Sequence, residues 1–199
     1  MELTALSRDR LSELLSRGAL LVDLRPVDDY LTEHAKGSVS LIFEDGPGFP
    51  GRARDLLPLQ AHLVLIDDSS GSADHAAAML RAKGFDVAGY SVDTNETTQT
   101  PQPDIKEFEG VLLDVRDPGA VVPEGATVIP VEWLWARAGD LDSTAEVGVL
   151  AGWGVRAATA VGILERLGFE KISFVRTRPV GSLPPTTASD PTIFRVSGV

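Results

Sequence analysis

The residues best placed for chemistry are Ala151, Gly152, Trp153, Gly154, Val155 and Arg156, a short stretch between the apolar run VGVL at 147–150 and an amphipathic run that ends at Gly168 and Phe169. Glycines at 152 and 154 let backbone amides turn inward, the start of a following helix adds partial positive charge, and Arg156 adds a guanidinium. A loop of this composition is built to hold a thiolate or an oxyanion. It has no nucleophile of its own, and the chain of 199 residues contains no cysteine. That excludes disulfides, thiolate metal sites and every reaction that passes through a protein thiol.

Other candidates carry weaker chemistry. Arg156 either binds an anion or caps loop carbonyls and pairs with a neighbouring carboxylate. Trp153, flanked by glycines and hard to bury, is read as the lip of a pocket rather than a plug. Trp133 and Trp135, alternating in VEWLWAR, read as a helix start or as interface packing rather than a ligand cage. Asp67 and Asp68 follow a second apolar run, LVLI at 63–66. Together they could bind a divalent cation or accept a phosphoryl group, but no third carboxylate or partner lysine stands nearby in sequence. His34, His62 and His75 are far apart and in no ligand-like spacing, so a histidine metal site is not expected, each is read as a surface or capping residue, and no cofactor is implied.

The elements that must position these residues recur. LLVDLRPVDDY at 20–30 is echoed by VLLDVRDPGAV at 111–121, each an apolar strand ending in Asp-x-Arg and a turn. The segment 62–87 is echoed by 147–172, a register that places Leu80, Gly84 and Phe85 on Leu164, Gly168 and Phe169 and sets Asp67 opposite Ala151. Apolar runs without alternation, separated by helical segments, indicate strands buried on both faces of a parallel α/β sheet. Ser7 is placed to cap the first helix and Gly18 to stop it, while Gly84 and Gly168 sit where left-handed C-caps are wanted. Residues 91–104, polar and containing Pro101 and Pro103, read as a linker, and the stretch after Arg178 is too rich in proline, serine and threonine for a regular helix. Within it, Ile193, Phe194 and Val196 are candidate anchors.

A formal net charge of −11 and a pI near 4.6 repel nucleic acid and anionic membranes, so neither is expected as a partner. The charged N-terminus does not resemble a signal peptide, and no apolar run approaches the ~20 residues a bilayer span needs, which makes the cytoplasm the expected location.

LVDLRPVDDYLTEHAKGSV, LDVRDP and the two strand–loop–helix units ending in LRAKGF and LERLGF resemble the rhodanese-like domains of sulfurtransferases over residues 5–90 and 108–177. The resemblance implies two tandem α/β domains, each a parallel sheet of about five strands flanked by helices: 1–91, a linker at 92–107, 108–178, and a tail at 179–199. It also implies a structural ion pair or loop clamp for Asp23 with Arg25 and for Asp114 with Arg116. In active relatives the six-residue loop opens with a cysteine that accepts sulfane sulfur as a persulfide. Carried onto this chain, the nucleophile position is Ala151 in the second half, followed by the substrate-binding positions Gly152, Trp153, Gly154, Val155 and Arg156. The first half has Asp67, followed by Asp68, Ser69, Ser70, Gly71 and Ser72. Neither loop can form a persulfide, so the expected state is a catalytically inactive family member. Natural loss of the cysteine, an engineered Cys-to-Ala change and a non-catalytic module are all compatible with that sequence. The module would bind a small sulfur-containing anion such as thiosulfate, or a protein partner.

Overall fold

The structure, a computed structural model, describes residues 3–67, 71–92, 96–116, 121–152 and 154–176. The first half runs α1 (Arg8–Ser16), β1 (Leu20–Asp23), α2 (Val27–Thr32), β2 (His34–Ala35), β3 (Val39–Ser40), α3 (Gly48–Leu56), β4 (His62–Ile66), α4 (Ser72–Ala82) and β5 (Asp86–Ser91). There follow β6 (Thr97–Thr98), β7 (Val111–Asp114), β8 (Thr127–Val128), a 3-10 turn (Val131–Trp133), α5 (Leu134–Arg137), a second 3-10 turn (Ala138–Asp140), β9 (Val147–Ala151), α6 (Val155–Arg166) and β10 (Ile172–Arg176).

Two four-stranded parallel sheets result, β3-β1-β4-β5 and β8-β7-β9-β10, with the strands in the same relative order. About five strands were expected in each. The fifth place is held by a single-residue parallel bridge at the edge, Ala5 on Tyr90 and Asp104 on Arg176. The apolar runs become central strands because both faces are covered; all of β1 is buried. Ser7 Oγ accepts from the Arg10 amide at 3.3 Å, and Gly18, Gly84 and Gly168 adopt φ of 90°, 92° and 92° just past α1, α4 and α6, where only glycine is free of steric penalty.

The segment expected as a plain linker is tied to both halves. β6 pairs antiparallel with β2, the Thr100 amide donates to the Leu31 carbonyl, and the amides of Phe174 and Arg176 donate to Pro101 and Pro103.

Helix α6 joins the halves. It follows β9 of the second sheet, yet it packs on β3 of the first, and residues 157–164 are buried around the whole helix. Small side chains permit the approach. A Cβ on Gly162 would lie 2.0 Å from the Ser38 carbonyl oxygen and 2.9 Å from Val39 Cα, so only glycine fits. Thr159 Oγ1 donates to the Ser40 carbonyl at 2.7 Å, and Arg166 Nη2 donates to the carbonyls of Gly18 and Ala19, both at 3.0 Å. One hydrophobic core therefore runs through both halves, from Leu20, Val22 and Leu65 to Val149, Ile163 and Phe174. The other face of the first sheet is covered by α1, whose Leu11 packs with Leu21, Val64 and Ile66. Among the described residues of the second half, the segment 105–110 takes that place, and Phe108 lies over Gly148, where a Cβ would meet its ring at 2.5 Å.

His34 is not a surface residue. It is 1% exposed, its ring stacked on Tyr30 with centroids 4.0 Å apart. Nδ1 lies 2.7 Å from the Tyr30 carbonyl, and Nε2 lies 3.2 Å from both carboxylate oxygens of Glu165, one of which also accepts from the Gly37 amide at 2.8 Å. Docking of α6 on the first half turns this edge into interior, which no local pattern around His34 signals. His62 and His75 are exposed, facing Asp86 and Asp45.

Candidate functional site

Both candidate loops sit at the C-terminal end of a central strand, before a helix N-terminus. Asp23 and Asp114 fix the register. Asp23 pairs with Ile66 and Asp114 with Leu150, so Asp67 and Ala151 are equivalent first residues beyond those pairs. Each helix is entered through a glycine in the left-handed region, Gly71 at φ 81° and Gly154 at φ 103°. The second loop is thus one residue shorter than the first. Val155 and Arg156, expected in the loop, form the first turn of α6, whose orphan amides point out of the helix end. Trp153, Asp68, Ser69 and Ser70 lie outside the described residues, as does the tail from 177 onward.

In the first loop Asp67 is consumed by its own helix. It is 4% exposed; Oδ1 accepts from Ser72 Oγ at 2.8 Å and Oδ2 from the Ala73 amide at 3.1 Å. A buried carboxylate capping a helix start is a structural device, and the Asp67 carboxylate is not open to a cation or a phosphoryl group. In the second loop Ala151 ends β9 beside Arg176. Gly152 stands against Arg116, whose Cδ would be 3.8 Å from an added Cβ. Gly154 is wedged between Phe174 and Val27 of α2, which would lie 3.2 and 3.3 Å from an added Cβ. A first-half helix therefore walls the second-half loop, and Arg176 adds an ion pair to Asp28 of the same helix at 3.3 Å.

Arg156 reaches Glu132, with Nη1 2.6 Å from Oε1 and about a third of each side chain exposed. Of its two sequence readings, the carboxylate pair is present. Glu132, 24 residues upstream in the first 3-10 turn, carries no sequence signal of this role. Of the adjacent tryptophans, Trp133 is 62% exposed, whereas Trp135 packs on the core and its Nε1 donates to the Leu56 carbonyl of the first half at 2.7 Å.

The two Asp-x-Arg motifs form the same clamp. The Arg25 amide and Nε each donate to Asp23 Oδ1 at 3.0 Å, with Nη2 at 2.7 Å from Oδ2 and 2.8 Å from the Glu33 carbonyl. The Arg116 amide and Nε donate to Asp114 Oδ1 at 3.0 and 2.8 Å, with Nη2 at 2.6 Å from Oδ2 and 2.9 Å from the Val121 carbonyl. The guanidinium bonds hold the Asp114 carboxyl below its ordinary range, and the carboxylates push Arg25 and Arg116 further up. These are the loop clamps expected, not acid–base pairs: each guanidinium ties a strand end to the loop beyond it.

Residues 7–94 match the family model of the rhodanese-like domain. The chain carries a rhodanese-like domain in its first half, within a fold of two parallel α/β sheets flanked by helices. Solved structures similar to it include a thiosulfate sulfurtransferase from Pseudomonas aeruginosa, at 19% identity over 88% of this chain and 41% of that one, TM-score 0.37. SseA from Escherichia coli, a 3-mercaptopyruvate sulfotransferase, is similar at 17% identity over 86% of this chain and 97% of that one, TM-score 0.35. The chain spans less than half the length of the first of these. No curated protein matches the sequence. Among the described residues, no helix is long and apolar enough to cross a membrane.

Proposed function

We propose that this chain is a non-catalytic member of the rhodanese-like sulfurtransferase family, a tandem pair in which the first half is scaffold and the second retains a cradle for a small oxyanion such as thiosulfate. The carrying observation is the complete lack of cysteine, with Ala151 and Asp67 at the two strand ends where the family resemblance places the nucleophile. Sulfur transfer from thiosulfate needs a lone pair that attacks the sulfane sulfur while sulfite leaves with the electrons of the broken S–S bond. An alanine methyl has none, and a buried carboxylate bonded to a hydroxyl and an amide is a poor sulfur nucleophile that also repels an anion. The first turn of α6, by contrast, keeps outward amides and Arg156 at the end of β9, which supports anion binding there.

Thiocyanate formation from thiosulfate and cyanide tests the reading. The chain as it stands is expected to give none above the blank, and turnover that disappears in Arg156→Ala would overturn it. Ala151→Cys is the companion variant. Transfer restored by that one change supports a cradle intact but for its nucleophile, and continued inactivity supports decay that extends beyond position 151.

A further inference from the structure

The hydrogen bonds of His34 fix where its protons are. Its side chain is wholly buried at the start of β2, and Nδ1 lies 2.7 Å from the Tyr30 carbonyl. A carbonyl oxygen only accepts, so Nδ1 carries a proton. Nε2 faces Glu165 in the last turn of α6, 3.2 Å from each carboxylate oxygen, and Glu165 Oε2 also accepts from the Gly37 amide at 2.8 Å. The Glu165 side chain is only 9% exposed, and a bare Nε2 would set its lone pair against that carboxylate in a buried site with nothing to offset the repulsion. Equal distances to the two oxygens fit an N–H shared by an ionised carboxylate, whereas a carboxylic acid would bring one oxygen closer. The ring therefore carries protons on both nitrogens, and its charge is stacked on the Tyr30 ring with centroids 4.0 Å apart.

We propose that His34 and Glu165 form a proton-operated clasp between the two halves. The doubly protonated ring holds the β2–β3 turn on the end of α6, and loss of the Nε2 proton releases that turn. Within the packed interior the neighbouring groups are neutral or committed. The Tyr30 hydroxyl donates to the Ser38 carbonyl at 2.7 Å, and burial together with the Glu165 carboxylate pushes it well above its ordinary value, so it stays neutral. On β1, Asp23 is clamped by Arg25, and Glu33, next to His34 in sequence, accepts from Thr97 Oγ1 at 2.9 Å. On α6, Arg166 donates to the carbonyls of Gly18 and Ala19, and on β6 the partner of His34 is the uncharged Thr98. Outward, Glu165 lines a cavity of about 400 Å³ whose charged groups are Lys36, Lys171, Glu146 and Glu170. That cavity gives the buried pair a path for proton exchange with solvent.

Glu165→Gln separates charge from shape in the full chain. Its carboxamide can accept from the Gly37 amide and donate to a neutral His34 Nε2, so the contact survives without the extra proton. In the wild type the fold keeps a proton that an unfolded histidine, with its ordinary value of ~6.5, gives up above neutrality, so stability falls as pH rises. In the variant the fold excludes a proton that the unfolded ring takes up below that value, so stability falls on the acid side instead. The ratio of folding constants, wild type over variant, is expected to fall about tenfold per unit of rising pH through neutrality, the consequence of one proton. His62 and His75 are common to both proteins and cancel. Over the same interval the Gly37 amide should lose protection from hydrogen exchange in the wild type alone. Nitrogen NMR of the wild-type His34 ring needs no variant: both nitrogens should be protonated at about pH 7.5, where a free imidazole is mostly neutral. A bare ring nitrogen there, a ratio flat with pH, or unchanged Gly37 protection while the ratio falls would each overturn the clasp.

Discussion

The two strand–loop–helix units share a strand register, a left-handed glycine before the helix and an Asp-x-Arg clamp at the neighbouring strand end, yet they have been put to different uses. The first of the two helices, α4, buries one face, against β4, β5 and α3 of its own half. The second, α6, is buried around its whole circumference by packing against two sheets. The first loop spends its carboxylate on its own helix start. The second has an alanine at that position, and Arg156 in the first turn of its helix pairs with Glu132 from the 3-10 turn. One backbone plan carries different arrangements: in the first half a carboxylate answers a helix-start amide, and in the second a carboxylate answers a side-chain guanidinium.

Gly162 is where the difference between the helices is most exposed to attack. In Gly162→Ala the new methyl would have to sit 2.0 Å from the Ser38 carbonyl oxygen and 2.7 Å from Tyr30 Oη. Alanine gains ~1 kcal/mol of helix propensity over glycine, but forced separation of two packed backbones costs about 3 kcal/mol or more, so the net loss is large. Denaturant unfolding should show that loss for the whole chain, since one core spans both halves. A transition confined to the second half, with the first unfolding as in the wild type, would mean that α6 does not couple them. In the register of Leu80 on Leu164 the matching position in α4 is Ala78, which is exposed, so Ala78→Gly should cost only about 1 kcal/mol.

Much of this comparison is legible in the sequence and some of it is not. The unbroken apolar runs at 63–66 and 147–150 announce central parallel strands, Gly84 and Gly168 announce the helix ends, and the paired Asp-x-Arg motifs announce equivalent strand termini, because each depends on residues within a few positions of one another. The pairing of His34 with Glu165 joins residues 131 apart, and that of Arg156 with Glu132 joins two elements through tertiary packing alone. The one-residue difference between the loops is hidden for a related reason. Matching the helix C-termini aligns Gly71 with Val155, whereas the turn geometry aligns it with Gly154, and sequence similarity weighs the longer helical match more heavily.

Asp67→Ala tests whether the first loop is self-filled. It removes the bonds to the Ala73 amide and the Ser72 hydroxyl at a helix start and is expected to cost about 1–2 kcal/mol in unfolding free energy. The loop and the first turn of α4 should open locally, seen as faster hydrogen exchange at the Ala73 amide. If stability and exchange are unchanged, the carboxylate does not hold the start of α4. Asp67→Asn should retain part of the stability, since an amide oxygen still accepts from Ala73.

The smallest effect concerns the clamp in the second half. Asp114 is buried against Arg116, whose guanidinium holds its carboxyl below the ordinary value of 3.8. A carboxyl with a depressed folded value contributes stability that is fully present above its unfolded value and is lost as pH falls through the folded one. Wild type should therefore exceed Asp114→Asn by about 1 kcal/mol near neutrality, where charge-assisted bonds are replaced by neutral ones. The margin should hold down to the ordinary carboxylate range and shrink only in more acid solution, as the wild-type group takes up its proton. Unfolding curves of the two proteins from neutral pH down to strongly acid conditions would measure it. A margin that does not change with pH would mean that the Asp114 contribution is steric rather than ionic. The clamp would then be shared by the halves in geometry alone, and the second loop would owe its position to packing against Val27 and Phe174.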